Sequence, residues 1–278
     1  MTFFSTLRYL RHGPLQKFGP LWVLLGKIFR FVLAYSPLNF SAPHLIGPYG
    51  PFIMEGKFAF SDFASWGSGH NRGFVKCIEA CTKAECVFDI GAHIGLVTMP
   101  MSSAVGGEGK IYAFEPSTAN RRTLKHHMTL NNISNTIVIN SLVGSQSQEN
   151  VIFYESSSVS GMNTCAPIKN RSQYTKNHHK QVSLDDFCNI HGVQPNIIKI
   201  DVEGFELSVL EGARTLLTRS KPTIFLSVHP QHLISLGRSP EELKSLISEI
   251  GYMVSDMEKN PVNTFTLDEY LLTPKDQL

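Results

Sequence analysis

The sequence predicts an α/β fold with a mainly parallel sheet and flanking helices, preceded by a helical extension. Short apolar runs alternate with segments of helical periodicity, and a glycine-containing turn follows the first of these runs. This alternation is typical of parallel sheets, in which a helix carries the chain from one strand to the next. With 278 residues, 42% of them hydrophobic, the chain can bury a sizeable core. We expect an extension over residues 1–70 and one α/β domain over residues 71–278.

The N-terminal extension combines positive charge with apolar residues. Glu55 is the first acidic residue, whereas five lysine and arginine residues precede it. Residues 21–35 are predicted to form a helix that is apolar on most sides, with Lys27 and Arg30 on a narrow polar face. These two charges disfavour a membrane-spanning helix, and they also interrupt the apolar stretch that a secretory signal peptide needs.

The pattern of this extension predicts a helix that lies on the inner face of a membrane. A basic amphipathic helix lies in the headgroup region, where its charges meet anionic lipids. A helix packed on its own domain or on a partner subunit is the alternative. Five cysteines, an odd number spread along the chain, indicate reduced thiols. We therefore expect a cytoplasmic protein that binds the membrane peripherally, with an irregular Pro- and Gly-rich linker over residues 36–56.

The domain contains short apolar runs that we interpret as buried strands, with helices after most of them. Parallel strands place their C-terminal ends, and therefore the ligand crevice, along one edge of the sheet. In order, the predicted strands are 86–90, 110–114, 136–143, 196–200, 222–228, 252–255 and 264–272, and the predicted helices are 94–104, 117–130, 205–218 and 240–250.

The regular order breaks between the third and the fourth strand. Residues 151–154 alternate like a hairpin strand, residues 155–161 are small and polar, and residues 164–180 are polar and basic. An insertion at this place borders the crevice, so residues 155–180 are expected to help bind an acceptor molecule. A solvated loop is the alternative for the basic stretch.

The first motif with chemical meaning is Asp89-Ile-Gly-Ala-His-Ile-Gly95, between an apolar strand and a helix. Gly91 and Gly95 let the backbone turn tightly and approach a ligand, and the new helix offers free N–H groups there. Ala92 and His93 lie in the same turn, where His93 is expected to pack against a cofactor. The spacing G-x-x-x-G differs from the G-x-G-x-x-G that a dinucleotide needs.

A second acidic residue follows the second strand. Glu115, just before Pro116, is placed to accept hydrogen bonds from both ribose hydroxyls of a nucleoside. Asp89 would repel a phosphate but suits a cation. S-adenosylmethionine carries an ammonium and a sulfonium and no phosphate, so the charges favour it over NAD as the cofactor.

Four segments resemble the FkbM family of S-adenosylmethionine-dependent methyltransferases: VFDIGAHIG, YAFEPS, VSLDDF and IKIDVEGFELSVLEGA. The resemblance covers residues 87–256. It implies a class I methyltransferase fold, with a seven-stranded sheet and one reversed strand, and O-methylation, commonly of sugar or polyketide-type hydroxyls. Ser227 stands where family members often carry an acid, which argues against an acid acting from that position.

The same resemblance implies which residues contact the cofactor. They are Asp89, Gly91 and Gly95 at the methionine end, Glu115 at the ribose, and Ser141 and Leu142 near the adenine.

A third motif, Asp201-Val-Glu-Gly-Phe-Glu206, supplies candidates for acid–base chemistry. Asp201 ends the fourth strand at the crevice, Glu203 follows after a turn, and His229 ends the fifth strand at the same edge. A hydroxyl that attacks a methyl group must lose its proton, so a positioned base helps. We expect Asp201, with Glu203 or His229, to orient or deprotonate the acceptor, since a histidine titrates near neutral pH. Helix capping is the alternative for the glutamates.

The sequence thus favours an O-methyltransferase for a hydroxyl of a glycan, a lipid-linked sugar or a related small molecule. An N-methyltransferase and a non-catalytic membrane-associated binding module of the same fold are the alternatives. The net charge of +2 is too small to indicate nucleic-acid binding. Asp201, Glu203 and His229 could in principle bind a cation, but no ligand spacing supports a metal site, so none is expected.

Overall fold

A seven-stranded sheet lies at the centre of the domain. The computed structural model describes residues 13–35, 40–161 and 174–277, together with Thr6, Leu10, Asn163 and Cys165. Six strands share one direction, and the second from one edge runs antiparallel to both neighbours, so the predicted sheet with one reversed strand is confirmed. Numbered along the chain, the strands from that edge are β11 (Tyr252–Ser255), β12 (Asp268–Pro274), β10 (Thr223–Val228), β9 (Ile197–Ile200), β3 (Cys86–Ile90), β4 (Lys110–Phe114) and β5 (Thr136–Ile139).

Helices cover both faces of this sheet. Side chains alternate between the two faces along each strand, so Ile198 and Ile200 of β9 enter one core and Ile197 enters the other. Burial on both faces explains why the strands read as continuous apolar runs. The first core packs α5 (Leu184–His191), α6 (Glu206–Glu211), α7 (Arg214–Ser220), α8 (Pro230–Ser235) and α9 (Pro240–Glu249), and the opposite face carries α2 (Phe74–Ala80), α3 (Thr98–Val105) and α4 (Thr118–Leu130).

Two predicted helices differ in extent from the observed ones. α3 begins at Thr98 rather than at residue 94, because the backbone of the preceding turn is left-handed at His93 and Gly95, with φ of 51° and 93°. The helix predicted over residues 205–218 is divided into α6 and α7 around Gly212. A Cβ atom on Gly212 would lie 2.0 Å from the carbonyl oxygen of Gly144, so this close approach requires glycine.

The predicted linker is largely a β-hairpin. β1 (Ser41–Ile46) and β2 (Tyr49–Glu55) pair antiparallel and bury alternate side chains over part of their length. The prediction of an irregular segment was wrong for residues 41–55, because two strands that are both edges tolerate proline. The hairpin packs on α4, and the side chain of Asn131, the residue after this helix, hydrogen-bonds the N–H and the C=O of Ile53, at 2.7 Å each.

A small three-stranded sheet forms the insertion. Its order is β6 (Leu142–Val143), β8 (Tyr174–Val182) and β7 (Gln148–Ser156), and β7 and β8 pair antiparallel as predicted from the alternation at residues 151–154. The single strand predicted over residues 136–143 is divided between β5 and β6. Residues 162, 164 and 166–173, and with them part of the predicted basic stretch, lie outside the described residues.

The extension contains the helix that the sequence predicts. α1 (Gly19–Tyr35) covers the predicted residues 21–35. Residues 1–5, 7–9, 11–12 and 36–39 lie outside the described part, so the surroundings of Arg8 and Arg11 are not described. Among the helices of the described residues, none is long and apolar enough to cross a membrane.

Candidate active site

A cavity of about 420 Å³ opens at the C-terminal ends of β3, β4, β9 and β10. Its size is that of small-molecule sites, and its place is the crevice expected for a parallel sheet. The structure brings most of the predicted site residues to this one cavity, whereas Asp89 and Gly95 are not among the residues that line it. The predicted residues in its wall are Gly91, Ala92, His93, Glu115, Pro116, Ser141, Leu142, Asp201, Glu203 and His229.

Glu115 is buried on one side of the cavity, directly after β4. Its carboxylate accepts the backbone N–H groups of Ser117 (2.9 Å) and His93 (2.8 Å) and the side-chain amide of Asn120 (3.3 Å). Burial raises the pKa of Glu115 to about 7, although these donors act to lower it. The donors hold the carboxylate in one position, where its remaining lone pairs can accept hydroxyl groups.

His93 connects the glycine turn to Glu115 through its backbone N–H. Its Nε2 atom is buried and has no hydrogen-bond partner among the described residues. Burial lowers the pKa of His93 to about 4, so the imidazole is neutral at physiological pH. A neutral ring in the cavity wall suits the packing role predicted for it.

Asp89 lies behind the cavity rather than at its surface. It is fully buried, accepts the hydroxyl of Thr98 at 2.6 Å, and places Oδ1 3.3 Å from Lys199 Nζ. Lys199 Nζ also lies 3.6 Å from Asp201 Oδ2 and donates to the carbonyl of Gly91 at 3.2 Å. Asp89, which was predicted from the sequence to lie at the methionine end of the cofactor, is therefore paired with Lys199 and does not reach the surface of the cavity.

Lys199 is a site residue that the sequence did not lead us to predict. β3 and β9 pair so that Asp89 and Lys199 stand directly opposite each other. Burial acts to lower the pKa of Lys199, but Asp89 and Asp201 raise it overall, so the ammonium stays charged. In turn, Lys199 lowers the pKa of Asp201 against the effect of burial. The signal in the sequence was a lone lysine within an apolar strand, IIKI.

The ends of β3 and β9 approach each other closely at Gly91. A Cβ atom on Gly91 would lie 1.9 Å from the carbonyl oxygen of Asp201, and the residue has φ of 85°. Any other amino acid would push the two strand ends apart. Gly91 is therefore needed to place Asp201 at the cavity as well as to leave room for a ligand.

Asp201, Glu203 and His229 converge on the other side of the cavity. His229 Nε2 lies 3.7 Å from Asp201 Oδ1 and 3.7 Å from Glu203 Oε2. His229 Nδ1 lies 2.7 Å from Oε1 of Glu206, a fully buried side chain at the start of α6. The same oxygen accepts the N–H of Gly204, so Glu206 both caps the turn and holds the imidazole.

The charges in this cluster differ from those of isolated side chains. Burial acts to lower the pKa of His229, but Glu206, Asp201 and Glu203 raise it to about 9. His229 is therefore protonated at neutral pH, whereas the sequence predicted a histidine that titrates near neutral pH at this position. Burial raises the pKa of Glu203, and Asp201 adds to this effect while His229 opposes it. Of Asp201 and Glu203, Glu203 is thus the more basic.

The departure from the family pattern at Ser227 is accompanied by an acid from the neighbouring strand. Ser227 in β10 pairs in register with Glu269 in β12, and its hydroxyl lies 3.5 Å from Glu269 Oε1. Burial raises the pKa of Glu269 to about 7, and its Oε2 accepts the N–H of Gly73 at 2.7 Å. The sequence did not show this pairing because β12 follows β10 only after two helices and β11.

Two further parts of the wall were not predicted. Phe58, Phe63 and Trp66 line the cavity from the segment between the hairpin and α2, which precedes the part of the chain that resembles the family. On the insertion side, Asn120 hydrogen-bonds the N–H and the C=O of Ser160, at 3.1 and 2.9 Å. The extension and the insertion therefore both contribute to the cavity.

Comparison with protein families assigns most of the domain. The family model described as the methyltransferase FkbM domain matches residues 89–254, more than half of the chain. A search of curated proteins finds no match.

Solved structures of similar fold include methyltransferases. Methyltransferase FkbM from Methylobacillus flagellatus KT is 22% identical with a TM-score of 0.44; the match covers 69% of this chain, which spans only 44% of that one. An SAM-dependent O-methyltransferase from Thermotoga maritima is 11% identical with a TM-score of 0.42, covering 73% of this chain and 63% of that one. TYW2 from M. jannaschii, in complex with AdoMet, is 16% identical with a TM-score of 0.44 and 85% coverage of each chain. At these TM-scores the structures add nothing to the family match.

Proposed function

Because the chain belongs to the FkbM methyltransferase family, we propose that it transfers a methyl group from S-adenosylmethionine to a hydroxyl of a glycan, a lipid-linked sugar or a related small molecule. Family membership supports the methyltransferase activity and S-adenosylmethionine as its cofactor. The choice of a hydroxyl acceptor is supported by the site.

The cavity offers the groups that S-adenosylmethionine needs. Glu115 would accept the ribose hydroxyls, and Ser141 and Leu142 lie in the wall that the family resemblance places near the adenine. Asp201 and Glu203 add negative charge that favours a cationic sulfonium. When bound, the cofactor supplies an electrophilic methyl group on positively charged sulfur.

The observation that best supports a hydroxyl acceptor is the pair of carboxylates after β9. Lys199 keeps Asp201 ionised, so Asp201 can accept a hydrogen bond from the acceptor hydroxyl and orient it. The raised pKa of Glu203 suits it to take the proton as the hydroxyl attacks. The protonated His229 holds the two carboxylates at 3.7 Å each. Orientation of the two reactants then supplies much of the rate.

The aromatic part of the wall supports a ring-shaped polar acceptor. Phe58, Phe63 and Trp66 provide apolar ring surfaces, while Asn71 and Asp268 add polar groups to the same cavity. A sugar presents a weakly polar C–H face to an aromatic ring and directs its hydroxyls outward. This combination favours a glycan over a purely apolar acceptor.

Replacement of Asp201 by asparagine tests the proposal. Asp201→Asn keeps the shape of the side chain but removes its charge, and we expect methyl transfer to fall roughly 10²–10⁴-fold. Transfer is measured as S-adenosylhomocysteine release over a panel of free and lipid-linked sugars, with calorimetry to show that S-adenosylhomocysteine still binds.

Glu249→Gln, which alters an exposed ion pair with Arg214, is the matched control and should leave transfer unchanged. Full activity of Asp201→Asn would contradict the proposal. A wild-type enzyme that methylates amines but no hydroxyl in the panel would instead establish an N-methyltransferase.

We further propose that α1 binds the surface of an anionic membrane. An apolar helix face within a segment that has five basic residues and no acidic residue before Glu55 favours such a surface. α1 contacts Gly56–Phe58, and Phe58 lines the cavity, so a bound α1 would bring the cavity close to a lipid-linked acceptor. The apolar side chains of α1 that are 44–53% exposed are Leu21, Val23, Leu24, Leu25 and Ile28.

Vesicle flotation of the full chain tests membrane binding. We expect flotation with vesicles containing phosphatidylglycerol, less with phosphatidylcholine alone, and a marked loss in Leu24→Glu. Ile190→Glu, on the 75% exposed residue of α5, is the control and should float like the wild type. Wild-type protein that stays free of both kinds of vesicle would contradict the proposal.

A further inference from the structure

The side chains of Asp201, Glu203 and His229 come together in a way that the spacing along the chain did not suggest. One ligand atom from each residue lies within 4.8 Å of the other two. His229 Nε2 is 3.7 Å from one oxygen of Asp201 and 3.7 Å from one oxygen of Glu203. Ligands at roughly 2.0–2.2 Å from a small divalent ion lie about 3–4 Å apart when adjacent. Small side-chain movements would therefore close this group around one ion.

The imidazole of His229 is oriented by a carboxylate, as the imidazole of a metal-binding histidine often is. Its Nδ1 is bound at 2.7 Å to a carboxylate oxygen of Glu206, which leaves Nε2 directed at Asp201 and Glu203. A carboxylate on the far nitrogen of a ligating histidine fixes the ring and strengthens the ligand. Glu206 is fully buried, and its second oxygen, Oε2, has no hydrogen-bond partner among the described residues.

The charges around this point are unbalanced. Three carboxylates, of Asp201, Glu203 and Glu206, lie around the imidazole of His229, and a second imidazole, that of His232, places Nδ1 2.9 Å from Glu203 Oε2. Within the described part of the chain, Lys199 is the one lysine or arginine that pairs with any of them, and it is shared with Asp89. Negative charge in a partly buried site costs free energy unless a cation compensates for it.

We propose that Asp201, Glu203 and His229 bind one divalent cation of the manganese or magnesium type, which holds the acceptor hydroxyl. Two carboxylate oxygens and one imidazole nitrogen suit Mn²⁺ best among the common biological ions with a preference for oxygen ligands.

This inference rests on the proposed methyl transfer to a hydroxyl, and it changes how the three side chains act. Three protein ligands leave coordination positions open, so the acceptor hydroxyl, or two neighbouring hydroxyls of a sugar, can bind the ion. A metal-bound hydroxyl loses its proton to solvent more easily than a free one. The carboxylates then act through the ion rather than by touching the hydroxyl.

Manganese binding to the full chain tests the site directly. The protein is freed of metal with EDTA, dialysed and titrated with MnCl₂, and the free ion is followed by its six-line electron paramagnetic resonance spectrum. We expect one ion per chain. Glu203→Gln and His229→Ala should weaken binding at least tenfold, and Glu206→Gln roughly 10–100-fold because it loosens the histidine. Glu249→Gln should bind Mn²⁺ like the wild type.

Calorimetry with S-adenosylhomocysteine measures whether each variant still binds this cofactor product. A variant that binds it normally but has lost Mn²⁺ binding is still folded. Failure of the wild type to bind Mn²⁺, or equal binding by Glu203→Gln and His229→Ala, would overturn the cation site. If methyl transfer to sugars continues in EDTA at the same time, the proposed function stands without it. Mn²⁺ binding that depends on these ligands, without transfer to any hydroxyl, would keep the site and overturn the proposed function.

Discussion

Glu115 and Asp201 follow the two strands that flank β3, on opposite sides of one cavity, yet they reach different charge states. Glu115 is surrounded by N–H donors, and burial raises its pKa to about 7. Asp201 has Lys199 at 3.6 Å and His229 at 3.7 Å, and its pKa is lowered in spite of burial. The difference shows that full charges offset the cost of burial where the N–H donors around Glu115 do not.

This contrast divides the cavity into two sides of different electrostatic character. The carboxylate of Glu115 accepts its hydrogen bonds from neutral donors, and this side of the cavity suits the hydroxyl groups of a nucleoside. The side around Asp201 is built from paired charges and suits a proton, a sulfonium or a metal ion. The two sides share the glycine turn, because Gly91 permits the close approach of β9 and His93 donates its N–H to Glu115.

The largest expected effect comes from replacing Lys199, the buried cation beside Asp89 and Asp201. Lys199→Met leaves Asp89 buried without a charge partner, and we expect the free energy of unfolding to fall by about 3–5 kcal/mol. Urea unfolding measures the loss. Lys110→Met, on an exposed lysine at the start of β4, is the control and should change little.

Adding Asp89→Asn to Lys199→Met should recover part of this stability, since the unpaired charge is then gone. Equal losses in Lys199→Met and Lys110→Met would show that Lys199 does not set the charge of this side of the cavity.

An intermediate effect is expected when Glu115 loses its carboxylate. Glu115→Gln replaces one carboxyl oxygen with an NH₂ group that faces backbone N–H donors, so binding of S-adenosylhomocysteine should weaken by about 1–3 kcal/mol. Isothermal titration calorimetry measures it. Glu108→Gln, on an exposed residue before β4, should bind as the wild type does. Unchanged affinity in Glu115→Gln would remove Glu115 from the cofactor site.

The smallest expected effect concerns Glu155, a buried acid near Glu115 whose pKa is low. Burial acts to raise this pKa, but His179 (2.8 Å), Asn177 (2.9 Å) and the N–H of Thr118 (3.0 Å) lower it to about 2. A pKa below the ordinary 4.5 means that the stabilisation is complete above pH 4.5 and is lost as the pH falls toward 2.

Glu155→Gln should therefore lower the free energy of unfolding by about 1–2 kcal/mol at pH 6, and by less at pH 3. Chemical unfolding at the two pH values measures the difference. Glu149→Gln, on an exposed residue of the same strand, is the control. A difference that stays constant between pH 6 and pH 3 would show that Glu155 is not held ionised by its partners.

The parts of the site that the sequence predicted are those with local causes. The turn at Gly91, the acid after β4 and the carboxylates after β9 follow from strand periodicity and from what glycine permits in a turn. The pairing of Lys199 with Asp89 was not predictable in this way, because it depends on the register between two strands far apart in the chain. The hairpin β1–β2 was missed since its prolines read as a linker when the edge positions are unknown.

By itself, the sequence determined the fold class, the family, and the edge of the sheet on which the site lies, because these depend on local periodicity and on motifs of consecutive residues. Only the tertiary structure decided that Asp89 is withdrawn behind the cavity, that His229 carries a proton, and that Phe58, Phe63 and Trp66 complete the wall. The physical reason is that charge states and contacts depend on separations of a few ångströms and on burial. Folding sets both between residues that the sequence keeps far apart.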